Sequence, residues 1–290
     1  MSELLQFFFS GITVGAIYSL VALGFIIIYN SSGVVNFAQG EFVMLGGMST
    51  VFLFNAGVPL AIAAVAAILI TCLVGIALNK LAIEPAKGAS VVTLIIITIG
   101  ASIFIRGMAQ LVFDKQFHRF PSFSGDDPFL IGGATILPQG VWMIAGAIAV
   151  FIGLFVFFTY SLTGKAVLAT SNNKLAARLV GISTNMMMTL SFGLSAAIGA
   201  LAGVLVTPIT LTSYDVGIAL ALKGFAAAIL GGMGSPFGAL VGGILVGLIE
   251  AMTAGYISSE YKDAASFIVI LAVLFVMPNG IFGRSTIDRV

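Results

Sequence analysis

Charge is what this sequence has least of. Only 8% of its 290 residues are charged, against about 25% in an ordinary soluble domain. With 60% hydrophobic residues and a mean hydropathy of +1.18, no sizeable solvated domain fits, and most of the chain belongs in a bilayer. The formal net charge of +1 supplies no basic patch to neutralise phosphates, which argues against a nucleic-acid partner. Cys72 stands alone in an apolar run, so neither a disulfide framework nor a thiolate metal site can be built; it reads as a small buried hydrophobe. His118 is the single histidine, which removes most zinc, haem and His-based catalytic schemes and leaves a loop residue. The phosphate-cradling Gly-x4-Gly-Lys-Ser/Thr pattern is missing too, since Gly164-Lys165 is followed by Ala166. The N-terminal "MSELLQFFFSGITVG" lacks a basic n-region and reads as retained, and no lipidation motif is evident.

What is present is a series of long apolar runs. A bilayer core of about 30 Å needs roughly 20 apolar residues per helix. Segments 4–29, 58–79, 90–113, 139–160, 186–209, 236–256 and 264–281 meet that need. Two more, 34–55 and 216–233, are apolar but interrupted by glycine and polar residues, and are expected to be short, broken or re-entrant. The predicted fold is an all-α polytopic bundle of about eight or nine spans, forming one transmembrane domain over 1–290. Lys80, Lys87, Lys165, Lys174, Arg178, Arg284 and Arg289 fall on one side of the alternation and Lys115, Arg119 and Lys262 on the other. The positive-inside rule makes the first side cytoplasmic, placing the N-terminus and 114–137 outside and the C-terminus inside. Gly11/Gly15, Gly199/Gly203, Gly238/Gly242 and Gly243/Gly247 have the small-xxx-small spacing that lets helices approach in lipid. The first two pairs lie in segments of opposite direction, each followed by an interrupted segment. That pattern predicts two inverted halves, a plan common among transporters.

Against this background the polar residues need reasons. Glu41, Arg106, Lys223 and Glu250 are charges inside apolar segments, where each costs several kcal/mol unless paired or lining a path. In "VVNFAQGEF" (34–42), a regular helix puts Asn36 and Gln39 on one face and Glu41 elsewhere. Two readings stand: Asn36 and Gln39 toward a pathway with Glu41 toward a neighbouring element, or a purely structural polar knot. Arg106 reads as a snorkelling structural residue, and Glu250 as either a buried hydrogen-bonded group or a pathway group. Lys223 opens the glycine-rich "LKGFAAAILGGMGSPFGALVGG" (222–243), and repeat symmetry predicts that it pairs with Glu41 at the centre. The external 114–137 mixes both charge signs, including Asp126 and Asp127, with Phe117, Phe120, Phe123 and Phe129. Those aromatics suit a cap on the outer mouth, a docking surface or a packed loop. In 161–185, "SLTGKAVLATSNNKLAARLVGISTN", Ser171, Asn172 or Asn173 offers an N-cap and Gly181 a C′ position for a helix of about two turns. Leu175, Leu179 and Ile182 lie toward one side of it.

The spacing Ala176-Ala177-x3-Gly181 resembles the loop by which ABC-importer permeases dock on their ATPase, although Leu175 stands where that pattern has Glu. Beside it are "NFAQGEF", "KGFAAAILGGMGSPFGALVGG" and "SSEYKDAASFIVILAVLFVMPNGIFGR" (258–284). Together these resemble the LivH-type branched-chain amino acid permease family from residue 4 to the end. The resemblance implies one of two unlike membrane subunits of a bacterial inner-membrane ABC importer. The implied partners are a second homologous permease in a heterodimer, two cytoplasmic ATPases, an external solute-binding protein and the surrounding lipid. No cofactor is expected on this chain, ATP being hydrolysed by the partners. The substrate class implied is branched-chain or related amino acids. Candidate residues are Asn36, Gln39, Glu41, Lys223 and Glu250 for the polar core or pathway, and Leu175, Ala176, Ala177, Leu179 and Gly181 for ATPase coupling; no catalytic or metal site is expected. An ion-coupled secondary carrier would also use inverted repeats and buried charges, but has no need of the 161–185 loop.

Overall fold

Helix ends in this chain are fixed by local chemistry. The Ser90, Ser161, Asn173 and Ser235 side chains accept hydrogen bonds from backbone N–H groups three residues on, at 3.2, 2.8, 3.0 and 3.0 Å, satisfying donors that a helix start would leave unpaired. Pro138 and Pro236 occupy first-turn positions where no N–H is needed. The computed structural model describes residues 2–86 and 88–283; Lys87, Arg284 and Arg289, used above for orientation, lie outside them. The helices are α1 (Ser2–Ser32), α2 (Gln39–Asn55), α3 (Leu60–Leu78), α4 (Val91–Phe113), α5 (Pro138–Tyr160), α6 (Leu162–Asn172), α7 (Lys174–Leu179), α8 (Thr184–Thr210), α9 (Val216–Gly231), α10 (Pro236–Tyr256) and α11 (Lys262–Val276). A π-helical turn, Asn79–Ile83, extends α3.

Among the described residues, six helices are long and apolar enough to cross a membrane: α1, α3 with its extension, α4, α5, α8 and α10. The chain is a multi-pass membrane protein. The other three expected spans, α2, α9 and α11, have 17, 16 and 15 residues, or about 22–26 Å at 1.5 Å per residue, short of a full core. Segment 264–281 was expected to be a full span, but its helix stops at Val276 because Pro278 holds Met277 out of the α region (φ −127°, ψ 79°). Before α2 the chain runs through the bundle as non-helical backbone, with Val34, Asn36 and Ala38 buried. Such backbone survives at membrane depth only if its donors are met within the protein. Here Val34, Phe37 and Ala38 N–H donate to Ser32 Oγ, Thr98 Oγ1 and Asn36 Oδ1 at 3.0, 3.2 and 3.1 Å.

The 161–185 loop holds two helices rather than one. Asn173 caps α7, and Gly181 follows it with φ +86°, but Ser171 and Asn172 belong to α6. The 114–137 loop departs from an all-α plan with an antiparallel hairpin of β1 (Phe129–Ile131) and β2 (Ala134–Ile136). Gly132 and Gly133, both at positive φ, form its two-residue turn.

Most of α1 and α8 is buried, whereas α3, α4 and α5 are largely exposed. Exchanging α1 with α8, α2 with α9, α3 with α10 and α4 with α11 maps the packing onto itself. Thus α1–α10 corresponds to α8–α3, α1–α9 to α8–α2, and α2–α4 to α9–α11, while α1–α8 and α2–α9 map to themselves. The two halves are inverted repeats, with α5 to α7 between them. All four glycine pairs lie at these contacts. Gly11 and Gly15 meet Ile244, Gly247 and Leu248, Gly199 and Gly203 meet α2, and Gly238 and Gly242 meet α9. On the symmetry axis, Gly40 and Gly217 touch through their backbones, so a side chain on either would strike the other's carbonyl.

Candidate functional site

The polar interior is organised around the entries to α2 and α9. Asn36 precedes α2, so it does not share a helical face with Gln39. Its side chain is 1% exposed; Oδ1 takes the Ala38 N–H and Nδ2 has no hydrogen-bond partner. Fully buried Gln39 binds α8: Nε2 donates to the Ser195 carbonyl at 3.3 Å, and Ser195 Oγ lies 2.6 Å from Gln39 Oε1 and 2.8 Å from the Gly24 carbonyl. Gln39 thereby pins the first turn of α2 between the two central helices.

The expected Glu41–Lys223 pair does not form. Glu41 Oε1 accepts from Ser102 Oγ at 2.7 Å and lies 3.5 Å from Arg106 Nε, both on α4. Arg106 Nη2 also donates to Ser102 Oγ at 3.3 Å, so Arg106 is an ion-pair partner rather than a lone snorkelling group. Lys223 instead donates to Glu250 Oε1 on α10 and to Asp263 Oδ1 on α11, the latter at 2.6 Å. Tyr18 OH donates to Glu250 Oε2 at 2.7 Å, completing a cluster across α1, α9, α10 and α11. The reason lies on the axis. Where Gly40 and Gly217 touch there is no room for a side chain, and the charged residues further along each helix turn outward, Glu41 to α4 and Lys223 to α10 and α11.

A cavity of about 600 Å³ opens between α1, α3, α4 and α8 at the end of the bundle that carries α7. Asn36, Asn79 and Thr98 line it, with Lys174 and Arg178 at its margin. Lys174 Nζ donates to the Ser32 carbonyl at the end of α1 (3.1 Å), and Arg178 Nε to Thr184 Oγ1 at the start of α8 (3.0 Å). Burial holds the Lys174 ammonium below the ordinary lysine range, and the Arg178 charge adds to the effect. On α7, Leu175 and Leu179 are 70% and 81% exposed, Ala176 is exposed and Ala177 buried, and exposed Gly181 closes the turn. Ile182, grouped with the leucines in the sequence, is half-buried.

At the opposite end, Phe120 is buried and Phe123 packs against it and Trp142, while Phe117 and Phe129 are exposed. His118 holds Asp114 at 2.9 Å, rests on the Phe52 ring, and forms a β-bridge with Thr212. Cys72 is half-buried beside Gly193, not fully enclosed as the sequence suggested.

Asp263, Tyr18, Ser102 and Asn79 were not singled out in the sequence. One signal was available: Thr98, Ser102 and Arg106 recur every four residues in otherwise apolar α4, marking one polar face. Asp263 carried no such signal, being an ordinary residue at a helix start.

Comparison with known proteins agrees with this geometry. Residues 7–274 match the family described as "Branched-chain amino acid transport system / permease component". The chain is 33% identical over 305 aligned residues to the high-affinity branched-chain amino acid transport system permease protein LivH of Escherichia coli, covering 99% of this chain and 97% of that one. It is 32% identical to the corresponding permease BraD of Pseudomonas aeruginosa, covering 99% and 98%, and 28% identical to a probable LivH of Methanocaldococcus jannaschii, covering 91% and 88%. By the extent of these matches, the chain belongs to the branched-chain amino acid transport system permease family.

Proposed function

We propose that this chain is one of two membrane subunits in a bacterial inner-membrane ABC importer for branched-chain or related amino acids. A second homologous permease completes the pathway. Two cytoplasmic ATPases dock on the end bearing α7, and an external binding protein delivers substrate at the end bearing 114–137. ATP is bound and hydrolysed by those partners, and this chain contributes translocation rather than catalysis. The N-terminus is outside and the C-terminus cytoplasmic.

The observation that carries this reading is α7. A six-residue helix capped by Asn173 projects Leu175 and Leu179 into the open, an arrangement with no stabilising role within the chain. Its two cations grip Ser32 and Thr184, at the ends of the two central helices. A displacement of α7 by an ATPase is therefore delivered to α1 and α8 together, one in each half. In the sequence "NKLAARLVG", Ala177 packs inward while Leu175 and Leu179 are left for a partner groove.

Leu179→Asp tests this. An unpaired charge in that groove costs several kcal/mol, so the variant permease stays in the membrane but no longer co-purifies with the ATPase. Normal co-purification with normal substrate-stimulated ATP hydrolysis would remove α7 from the coupling role. Uptake by the chain alone on an ion gradient would favour a secondary carrier.

A further inference from the structure

Inside the bundle the cations are held by carboxylates, Arg106 by Glu41 and Lys223 by Glu250 and Asp263. Lys174 and Arg178 are placed differently. Each binds a neutral oxygen, the Ser32 carbonyl and Thr184 Oγ1, and no acid among the described residues pairs with either. They stand four residues apart on one face of α7, close enough that the Arg178 charge bears on Lys174. Both keep donors to spare. Lys174 has used one of its ammonium protons, and Arg178 is bound through Nε alone, which leaves its terminal amino groups as a fork of the kind that grips phosphate.

Both cations stand at the margin of the 600 Å³ cavity, and Ile28, Ile83, Leu94, Met188 and Phe192 form an apolar wall within it. The remaining charge in the lining is Glu84, on the α3–α4 connection, which has an interaction of its own. Gly88 and Val91 carry the rim onto the start of α4. Val91 and Val92 there are 56% and 65% exposed, on a helix that is open along most of its length. The cavity is therefore continuous with a surface that lipid covers, and its charged margin lies at the end of the bundle that carries α7.

We propose that this cavity holds an anionic phospholipid, its phosphate on Lys174 and Arg178 and one acyl chain against the apolar wall. Two unpaired cations against one engaged acid favour a negative headgroup, and basic pockets between helices at the cytoplasmic side take such lipids. A soluble phosphate would leave the apolar wall without a partner. An acidic side chain of a docked ATPase fits less well, because Leu175 and Leu179 point about 100° around the helix from the two cations. The cations turn instead toward Ser32 and Thr184 of this chain. A bound phosphate would bridge α7 to the ends of α1 and α8.

The test is photo-crosslinking in the assembled transporter, in nanodiscs of phosphatidylglycerol and phosphatidylethanolamine without nucleotide. Benzoylphenylalanine replaces Met188 or Leu94 in the cavity wall, or Val92 on the open face of α4 as a reference for bulk lipid. Adducts on this chain are identified by mass spectrometry. The wall positions are expected to capture phosphatidylglycerol in excess of its share at position 92. Lys174→Gln/Arg178→Gln should lower that capture about tenfold or more, the effect of two cations beside a lipid phosphate, and leave position 92 unchanged. Lys174→Arg/Arg178→Lys keeps both charges and retains the capture, which separates loss of charge from loss of structure. Wall adducts with the bulk lipid ratio, indifferent to the glutamines, would overturn the site. So would adducts to partner-subunit peptides, or displacement of the lipid by inorganic phosphate. Neither ATPase docking nor uptake enters the readout, so the lipid site stands or falls apart from the importer reading.

Discussion

The two halves share a packing plan and differ in how they neutralise charge. In the first, the short helix α2 supplies an acid, Glu41, to a base on the outer helix α4. In the second, the short helix α9 supplies a base, Lys223, to acids on α10 and α11. The second cluster is closed on the Glu250 side: both carboxylate oxygens have donors, Lys223 and Tyr18. The first is open: Glu41 Oε2 has no hydrogen-bond donor, and Arg106, whose Nε lies 3.5 Å from Glu41 Oε1, is 27% exposed. Symmetry in a membrane repeat therefore constrains backbone packing and the places where charge is tolerated. It does not fix the sign of the charge or how rigidly it is held.

The largest expected effect is at the closed cluster. Lys223→Met leaves Glu250 buried without its cation, at a cost of about 3–5 kcal/mol, read as a loss of thermal stability of the purified protein. Adding Glu250→Gln recovers part of that loss. If Lys223→Met is tolerated, the contrast between a rigid and an adaptable half collapses.

Gly40→Val and Gly217→Val probe what the halves have in common. Each puts a side chain into the opposing backbone, which costs about 1–3 kcal/mol for overpacking. The two variants should be destabilised alike in the same melt; a one-sided result would mean the axis is misplaced.

Glu41→Gln is expected to be milder, about 1 kcal/mol, because Ser102 keeps an acceptor and Arg106 reaches solvent. The double variant Glu41→Gln/Lys223→Met should equal the sum of the singles within about 0.5 kcal/mol, as for residues with no shared partner. Coupling between them would revive the cross-axis pair that the geometry replaces.

The smallest effect concerns the junction of the halves, where the loop after α4 meets the α8–α9 connection through His118 and Thr212. The hydrogen bond from His118, and then that from Gln116 N–H, hold the exposed Asp114 carboxyl below the usual aspartate range. A depressed folded pKa stabilises above the unfolded value of about 3.9, and that contribution disappears as pH falls through the lower folded value. Acidification over that window should raise proteolytic cleavage of the 114–118 loop, and Asp114→Asn should remove the pH response.

Much of this was legible in order along the chain. Apolar length marked seven full spans, of which six are long enough in the structure and 264–281 is not; of the three N-cap candidates Asn173 caps α7 and Gly181 follows it, because caps act over three or four residues. The hairpin went unread, although "FLIGGATI" sets a Gly-Gly turn between two short apolar triplets. The glycine pairs marked close approach without naming the partner, since spacing describes one helix face and says nothing about which face opposes it.

The sequence by itself determined a multi-pass helical protein with two interrupted segments, a capped helix between the halves and four charges that had to be neutralised. Only the tertiary structure decided who neutralises whom. A charge in a low-dielectric interior takes whichever partner its helix rotation presents, and that rotation was set at Gly40 and Gly217, where two backbones touch and no side chain can stand. The same packing left Asn36 and Asn79 facing one cavity from different elements, 43 residues apart in the chain, a juxtaposition that no local pattern encodes.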